Sequence, residues 1–154
     1  MKTARKSSTK GRKRRAQDPP AAIAKHGWRY HHLGIPHATP LPHEQHLDHL
    51  GVHVCGFDTS PYGIEWMRYE PHCPVPDIVK TVPHLAFVVD DLEEALKGKH
   101  ILIAPNAPSG GVRVAFILDD GAPVELLEFD NAPRRKAKFK AATRGTAVAR
   151  PSRP

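Results

Sequence analysis

Residues 81–98 read TVPHLAFVVDDLEEALKG and contain the clearest structural signals in the chain. The apolar, β-branched run 81–89 predicts a buried strand. An Asp that can cap a helix, a Glu three residues after it and Gly98 beyond the last turn mark where a short helix begins and ends. The segment therefore predicts a strand followed directly by a helix.

Three further strands are predicted after this helix. The turn-rich segment 105–111 and the turn 119–121 separate them. The strands are residues 100–104 (HILIA), 112–118 (VRVAFIL) and 124–129 (VELLEF). The second half of the folded region thus has the order β-α-β-β-β.

The first half predicts a similar but shortened unit. Strands are expected over residues 28–35 (WRYHHLGI), 52–57 (VHVCGF) and 64–69 (IEWMRY), with a short helix over 42–50 (PHEQHLDHL). One of the four strands is missing or degenerate in this interpretation. His46 and His49 would share a face of that helix, but no adjoining ligand set is visible in the sequence.

The two halves align with each other at short motifs. His32-Leu33-Gly34-Ile35 matches His84-Leu85-Ala86-Phe87, and the run from Gly63 to Trp66 matches the run from Gly121 to Leu126. Each half therefore has a His on its first strand, His32 or His84, and a Glu on its last, Glu65 or Glu125.

Strand alternation decides which neighbours of these residues face the same way. It turns His31 and Glu128 to the opposite side of the sheet from His32 and Glu125. If the register is shifted by one residue, His31 takes the place of His32.

The segments VPHLAFVVDDLEEAL, GAPVELLEF, HHLGIP and SPYGIEW together resemble the vicinal oxygen chelate superfamily of glyoxalases, bleomycin-resistance proteins and dioxygenases. The resemblance covers about 100 residues, essentially the whole region expected to fold. It implies an α+β fold in which two βαβββ modules form a cupped mixed sheet around a divalent metal. It also implies four metal ligands, which are His32, Glu65, His84 and Glu125.

Two imidazoles and two carboxylates suit zinc, nickel, iron, cobalt or manganese. A catalytic metal keeps positions open for water or substrate and stabilises charge that develops on a substrate oxygen. The resemblance therefore implies an isomerase, epimerase or lyase that acts on a small molecule with two adjacent oxygens. Glu125 or Glu65 would transfer the proton. Trp66, Tyr62 and Met67 are candidates for the pocket wall.

The charge of the chain is concentrated outside this region. Residues 1–25 contain nine Lys or Arg and one acid, and residues 131–154 contain eight and none. The middle, 26–130, contains six basic and fifteen acidic side chains and all eleven histidines. Both basic ends are expected to be disordered tails around one domain over residues 26–130.

Other features limit the setting of the protein. Cys55 and Cys73 lack the spacing of a thiolate metal site, and no apolar run is long enough for a membrane span or a secretory signal. We therefore expect a cytoplasmic protein. We also expect a homodimer, because the shortened module leaves a sheet edge that needs cover.

Two other functions are consistent with the sequence. A metal-free module of the same fold would bind or sequester a small molecule in a groove between the modules. A nucleic-acid-associated protein would act through weak, non-specific phosphate contacts of the basic tails. The net negative charge of residues 26–130 makes that region itself a poor surface for DNA.

Overall fold

The structure, a computed structural model, describes residues 15–130 as one curled, mixed sheet of eight strands with short helices. In chain order the elements are α1 (Ala21–Ala24), β1 (Arg29–Pro36), β2 (Gln45–Leu47), a 3₁₀ turn (Asp48–Leu50), β3 (Val52–Cys55), β4 (Ile64–Tyr69), α2 (Asp77–Thr81), β5 (His84–Val88), α3 (Leu92–Leu96), β6 (Ile101–Ser109), β7 (Val112–Asp119) and β8 (Ala122–Phe129).

The strands form two modules with the same internal order. The first module is β1–β4, and the second is β5–β8 with α3. In each module the first strand lies parallel to the last, and the other two strands follow in antiparallel pairs. β1 and β5 pair antiparallel at the centre and join the modules into one sheet. The expected fold class, α+β with two paired modules in a cupped mixed sheet, is confirmed.

The helix predicted over residues 42–50 is wrong. β2 and the 3₁₀ turn occupy most of this segment, and the chain then passes through Gly51 in the left-handed conformation, with φ of 64°. Leu47 and Leu50 are three residues apart, a spacing that suits one face of a helix and equally a strand that ends in a tight turn. The first module is shortened because it lacks the helix, and the strand thought to be missing is the three-residue β2.

The two faces of the sheet have separate apolar cores. On one face, which we call the outer face, α3 packs Leu92 and Leu96 against Phe87, Ala115 and Leu126. On the opposite, inner face, a second cluster forms beneath α2. It contains Val79, Ala86, Val114, Phe116 and Leu127. The helix α3 covers the outer face of the second module only.

Residues 15–25 of the expected N-terminal tail belong to the described part of the chain. The segment AAIA forms α1, and the backbone N–H of Trp28 donates to Ala22 O, which ties this helix to the start of β1. Alanine has the strongest intrinsic preference for helix, which favours α1 in this segment. Residues 1–14 and 131–154 lie outside the described part of the chain. The disorder and the nucleic-acid contacts expected of these residues therefore stay predictions. None of the helices within residues 15–130 is long and apolar enough to cross a membrane.

Candidate metal centre

Two rows of side chains cross the inner face where the modules meet. In one row, Gly34 on β1 lies between Glu65 on β4 and His84 on β5. In the other, Ala86 on β5 lies between His32 on β1 and Glu125 on β8. Residues directly opposite one another on paired strands point to the same face of a sheet. The pairing therefore places both histidines and both glutamates on one face.

The residue between each His and Glu is small for a steric reason. A Cβ at Gly34 would lie 2.1 Å from Cε1 of His84, far inside van der Waals contact. The His84 imidazole thus lies directly over the backbone of β1, in space that only glycine leaves open. Ala86 is the equivalent residue of the second module, and it is fully buried beneath the site.

The side-chain ends of His32, His84 and Glu125 converge. Oε2 of Glu125 lies 3.1 Å from Nε2 of His32 and 3.2 Å from Nε2 of His84. Donor atoms of the three residues all lie within 4.8 Å of one another. Metal–ligand bonds to nitrogen and oxygen are about 2 Å long, so one ion can reach all three atoms.

The imidazoles lack the partners that buried polar groups normally have. His84 is completely buried, and neither of its ring nitrogens has a hydrogen-bond partner in the described residues. Nε2 of His32 is equally unpartnered, although Glu125 is within hydrogen-bonding distance. An unsatisfied buried polar group costs on the order of 1–3 kcal/mol. Atoms that approach closely without a hydrogen-bonding angle are the expected arrangement of ligands directed at a common ion, so the residues fit a metal.

Glu65 stands at the edge of this group. Its Oε2 lies 3.5 Å from Nε2 of His32, and its side chain is 19 % exposed. Burial raises the pKa of Glu65, with help from Glu125 and against the effect of His32. Burial alone would also raise the pKa of Glu125, but His32 and His84 outweigh it and lower that pKa to about 2. The pKa shifts thus favour the ionised form of Glu125 and the protonated form of Glu65.

His31 does not point away from the site, contrary to the strand-alternation expectation. The β1–β5 register shifts between Tyr30 and His32, so His31 is an extra residue at an irregularity. Its Nδ1 lies 2.8 Å from Nδ1 of His32, and its ring stacks on Phe57. His31 therefore fixes the ring of His32 and leaves Nε2 directed at the cluster. Glu128 does face the outer side, where it accepts a hydrogen bond from Leu92 N.

A cavity of about 590 Å³ opens beside Glu125. Its wall is mostly apolar, with Val52 and Met67 from the first module and Ile103, Val114 and Phe116 from the second. Met67 was a sequence candidate for this wall. Tyr62 and Trp66 do not line it; Tyr62 is 74 % exposed and the Trp66 ring lies against His37.

No family model matches the chain, and no curated protein matches it. Among solved structures it is similar to a hypothetical protein from Bacillus halodurans, at 18 % identity over 71 % of this chain and 99 % of that one, with a TM-score of 0.54. Methylmalonyl-CoA epimerase from Mycobacterium tuberculosis is also similar, at 21 % identity over 65 % of this chain and 87 % of that one, with a TM-score of 0.46. The likeness to the Bacillus protein is one of fold.

Proposed function

We propose that the chain is a metal-dependent enzyme of the vicinal oxygen chelate type, an isomerase, epimerase or lyase that acts on a small substrate with two adjacent oxygens. His32, His84 and Glu125 would hold a divalent metal, with Glu65 as the fourth ligand or as a neighbouring base. The observation that carries this proposal is the convergence of three donor residues, in which Nε2 of His32 and Nε2 of His84 are buried and have no hydrogen-bond partner in the described residues.

The two glutamates suit different roles. When bound, the metal would act as a Lewis acid that stabilises negative charge on a substrate oxygen. Glu125, with its low pKa, stays ionised and serves best as a ligand. Glu65 has a raised pKa, which brings it closer to the value that suits a general base near neutral pH. We therefore assign proton transfer to Glu65 in preference to Glu125.

The cavity restricts the kind of substrate. Among the described residues, neither Lys nor Arg lines it, and its charged groups are Glu125 and, when protonated, His49. A substrate that carries a phosphate or several carboxylates would find few counter-charges there. The substrate we propose is a neutral molecule whose two oxygens face the ligand cluster and whose apolar part fills the cavity.

Metal content tests the proposal most directly. Untagged protein is stripped with a chelator, reloaded with nickel, cobalt, manganese or zinc, and analysed for bound metal. His84→Ala should lose one bound ion per chain, because it removes a buried ligand. The matched control, His100→Ala, changes an exposed histidine and should keep that ion. Equal metal content in the two variants would contradict the proposed centre.

Proton transfer is tested separately by deuterium exchange. The loaded enzyme is incubated in D₂O with a panel of neutral hydroxyketones and ketoaldehydes, and loss of the α-proton is followed by NMR. Glu65→Gln should keep the metal and stop exchange, whereas Glu125→Gln should lose the metal. Exchange that survives in Glu65→Gln would assign the proton transfer to another group.

The apolar cavity favours one further function, a metal-free binding module of the same fold. Such a module would bind apolar ligands equally well before and after chelation, and His84→Ala would not alter its metal content.

We retain the cytoplasmic homodimer as a proposal. The dimer is supported by the three-residue β2, which leaves one edge of the sheet for a second chain to cover. It predicts a dimer mass in light scattering.

A further inference from the structure

The outer face of the first module has a second group of histidines, on the opposite side of the sheet from the proposed metal centre. His46 on β2 is paired with His53 on β3, and His53 is paired with Arg68 on β4. Directly paired residues share a face, so these three side chains form one polar row. Glu70, one residue beyond β4, closes the end of the row.

Three imidazoles surround the Glu70 carboxylate. Oε1 lies 3.1 Å from Nε2 of His46 and 3.1 Å from Nε2 of His53, and Oε2 lies 3.2 Å from Nε2 of His72. Donor atoms of His46, His53 and Glu70 all lie within 4.8 Å of one another. The side chain of His46 is 40 % exposed, so an ion can enter from solvent.

A second carboxylate lies behind His53. Oε2 of Glu44 is 3.8 Å from Nδ1 of His53, and both oxygens of Glu44 accept hydrogen bonds from the Arg68 guanidinium. The backbone N–H of Leu41 also donates to Glu44. At 3.8 Å this carboxylate is beyond hydrogen-bond distance of His53, and it places a fixed negative charge behind the imidazole.

We propose that His46, His53 and Glu70 bind a second divalent transition metal, of which zinc is the representative, with His72 as a nearby fourth donor. Imidazole and carboxylate ligands suit this class of ion. The His46 and His53 rings are stacked at 4.2 Å and tilted by only 8°.

The bound ion would act as a structural clip. β2 is the edge strand and pairs with the rest of the sheet only through β3. A metal held by β2, β3 and the residue after β4 would tie this short strand down. The 3₁₀ turn that follows β2 carries His49 and Leu50 into the wall of the apolar cavity, and Nε2 of His49 is 2.9 Å from Pro108 O of β6. The clip would therefore also fix one wall of that cavity.

Zinc stoichiometry distinguishes the two sites. Chelator-treated, untagged full-length protein is dialysed against zinc at several free concentrations, and bound zinc per chain is measured by mass spectrometry. The sequence outside residues 15–130 contains no His, Cys, Asp or Glu, so those segments supply no ligand side chains. We expect two ions in the unmodified chain and in His100→Ala, one in His53→Ala, one in His84→Ala and none in the double variant.

Amide exchange of residues 45–47 provides the second readout. At free zinc ten times the dissociation constant, opening of β2 should be suppressed about tenfold. This protection should persist in His84→Ala and disappear in His53→Ala and His46→Ala, with His53→Gln as the alternative if His53→Ala fails to fold. Zinc binding and protection that are unchanged in the His46 and His53 variants would overturn the proposal. The His84→Ala variant reports on the inner site and the His53→Ala variant on the outer site. If one variant keeps both zinc ions, only the site that it tests is contradicted.

Discussion

The two modules share one strand order but differ in what covers their outer faces. In the second module α3 lies on β7 and β8, and the residues beneath it are Ala115, Ile117 and Leu126. In the first module residues 37–44 form no helix, and the corresponding surface carries His46, His53 and Arg68. The helix thus decides whether the outer face becomes a core or a polar surface.

The inner faces show the opposite relation, because there the modules remain equivalent. Each supplies one His from its first strand and one Glu from its last, with a small residue between the crossing pairs. A single ligand cluster between two modules requires both halves to keep the same register. The outer faces are free of that constraint, so the first module can lack a helix between β1 and β2 and still supply its part of the cluster.

The largest expected effect comes from emptying the core beneath α3. Leu92 is completely buried, so Leu92→Ala should lower the free energy of unfolding by about 2–5 kcal/mol. The matched substitution Leu85→Ala, at a leucine that is 45 % exposed, should cost much less. Chemical denaturation measures both variants. Equal losses would mean that Leu92 in α3 contributes no more to stability than an exposed leucine of the same module.

The next effect tests the small residues between the ligands. Gly34→Ala places a Cβ where the His84 imidazole lies, so His84 must move. We expect metal affinity at the inner site to fall by about 100-fold, the upper end of the range for residues that orient ligands. Ala86→Gly, the mirror substitution in the second module, opens space and should change affinity little, at a cost of about 0.5–1 kcal/mol in stability. Chelator competition measures affinity; unchanged affinity in Gly34→Ala would show that His84 is not a ligand.

The sequence predicts most of the second module but less of the first. The segment 81–98 combines an apolar strand with capping signals, and the structure has β5 and α3 there, with Asp91 accepting a hydrogen bond from Glu94 N. The strand β6 extends past its predicted end, through Pro105 and Pro108, because an edge strand tolerates proline.

The site shows the same division between local and non-local information. His32, Glu65, His84 and Glu125 were identified because the internal repeat gives their positions, and the structure brings them together; their role as ligands stays a prediction. The cavity wall and the cluster around Glu70 depend on how distant segments pair. The sequence pattern within one segment does not predict that pairing. Only the pairing of β2 with β3 shows that His46 belongs with His53 and not with His49.

The smallest expected effect comes from the residue that precedes each ligand histidine. In the first module this residue is His31, whose Nδ1 forms a hydrogen bond with Nδ1 of His32. In the second module it is Pro83, and Nδ1 of His84 has no hydrogen-bond partner in the described residues. His32 is therefore positioned by a neighbour, and His84 is positioned by packing against Gly34 and Phe116.

His31→Ala should accordingly weaken metal binding at the inner site by about tenfold, the lower end of the range for groups that orient a ligand, equivalent to about 1.4 kcal/mol. His31→Gln can still hydrogen-bond to Nδ1 of His32 and should recover part of the loss. Pro83→Ala should leave affinity unchanged, because the backbone of residue 83 does not set the ring of His84. A purely structural role for His31 would lower the stability of the metal-free protein in both His31 variants alike and leave their metal affinities equal. A positioning role instead separates the two variants by affinity, because only glutamine replaces the lost hydrogen bond.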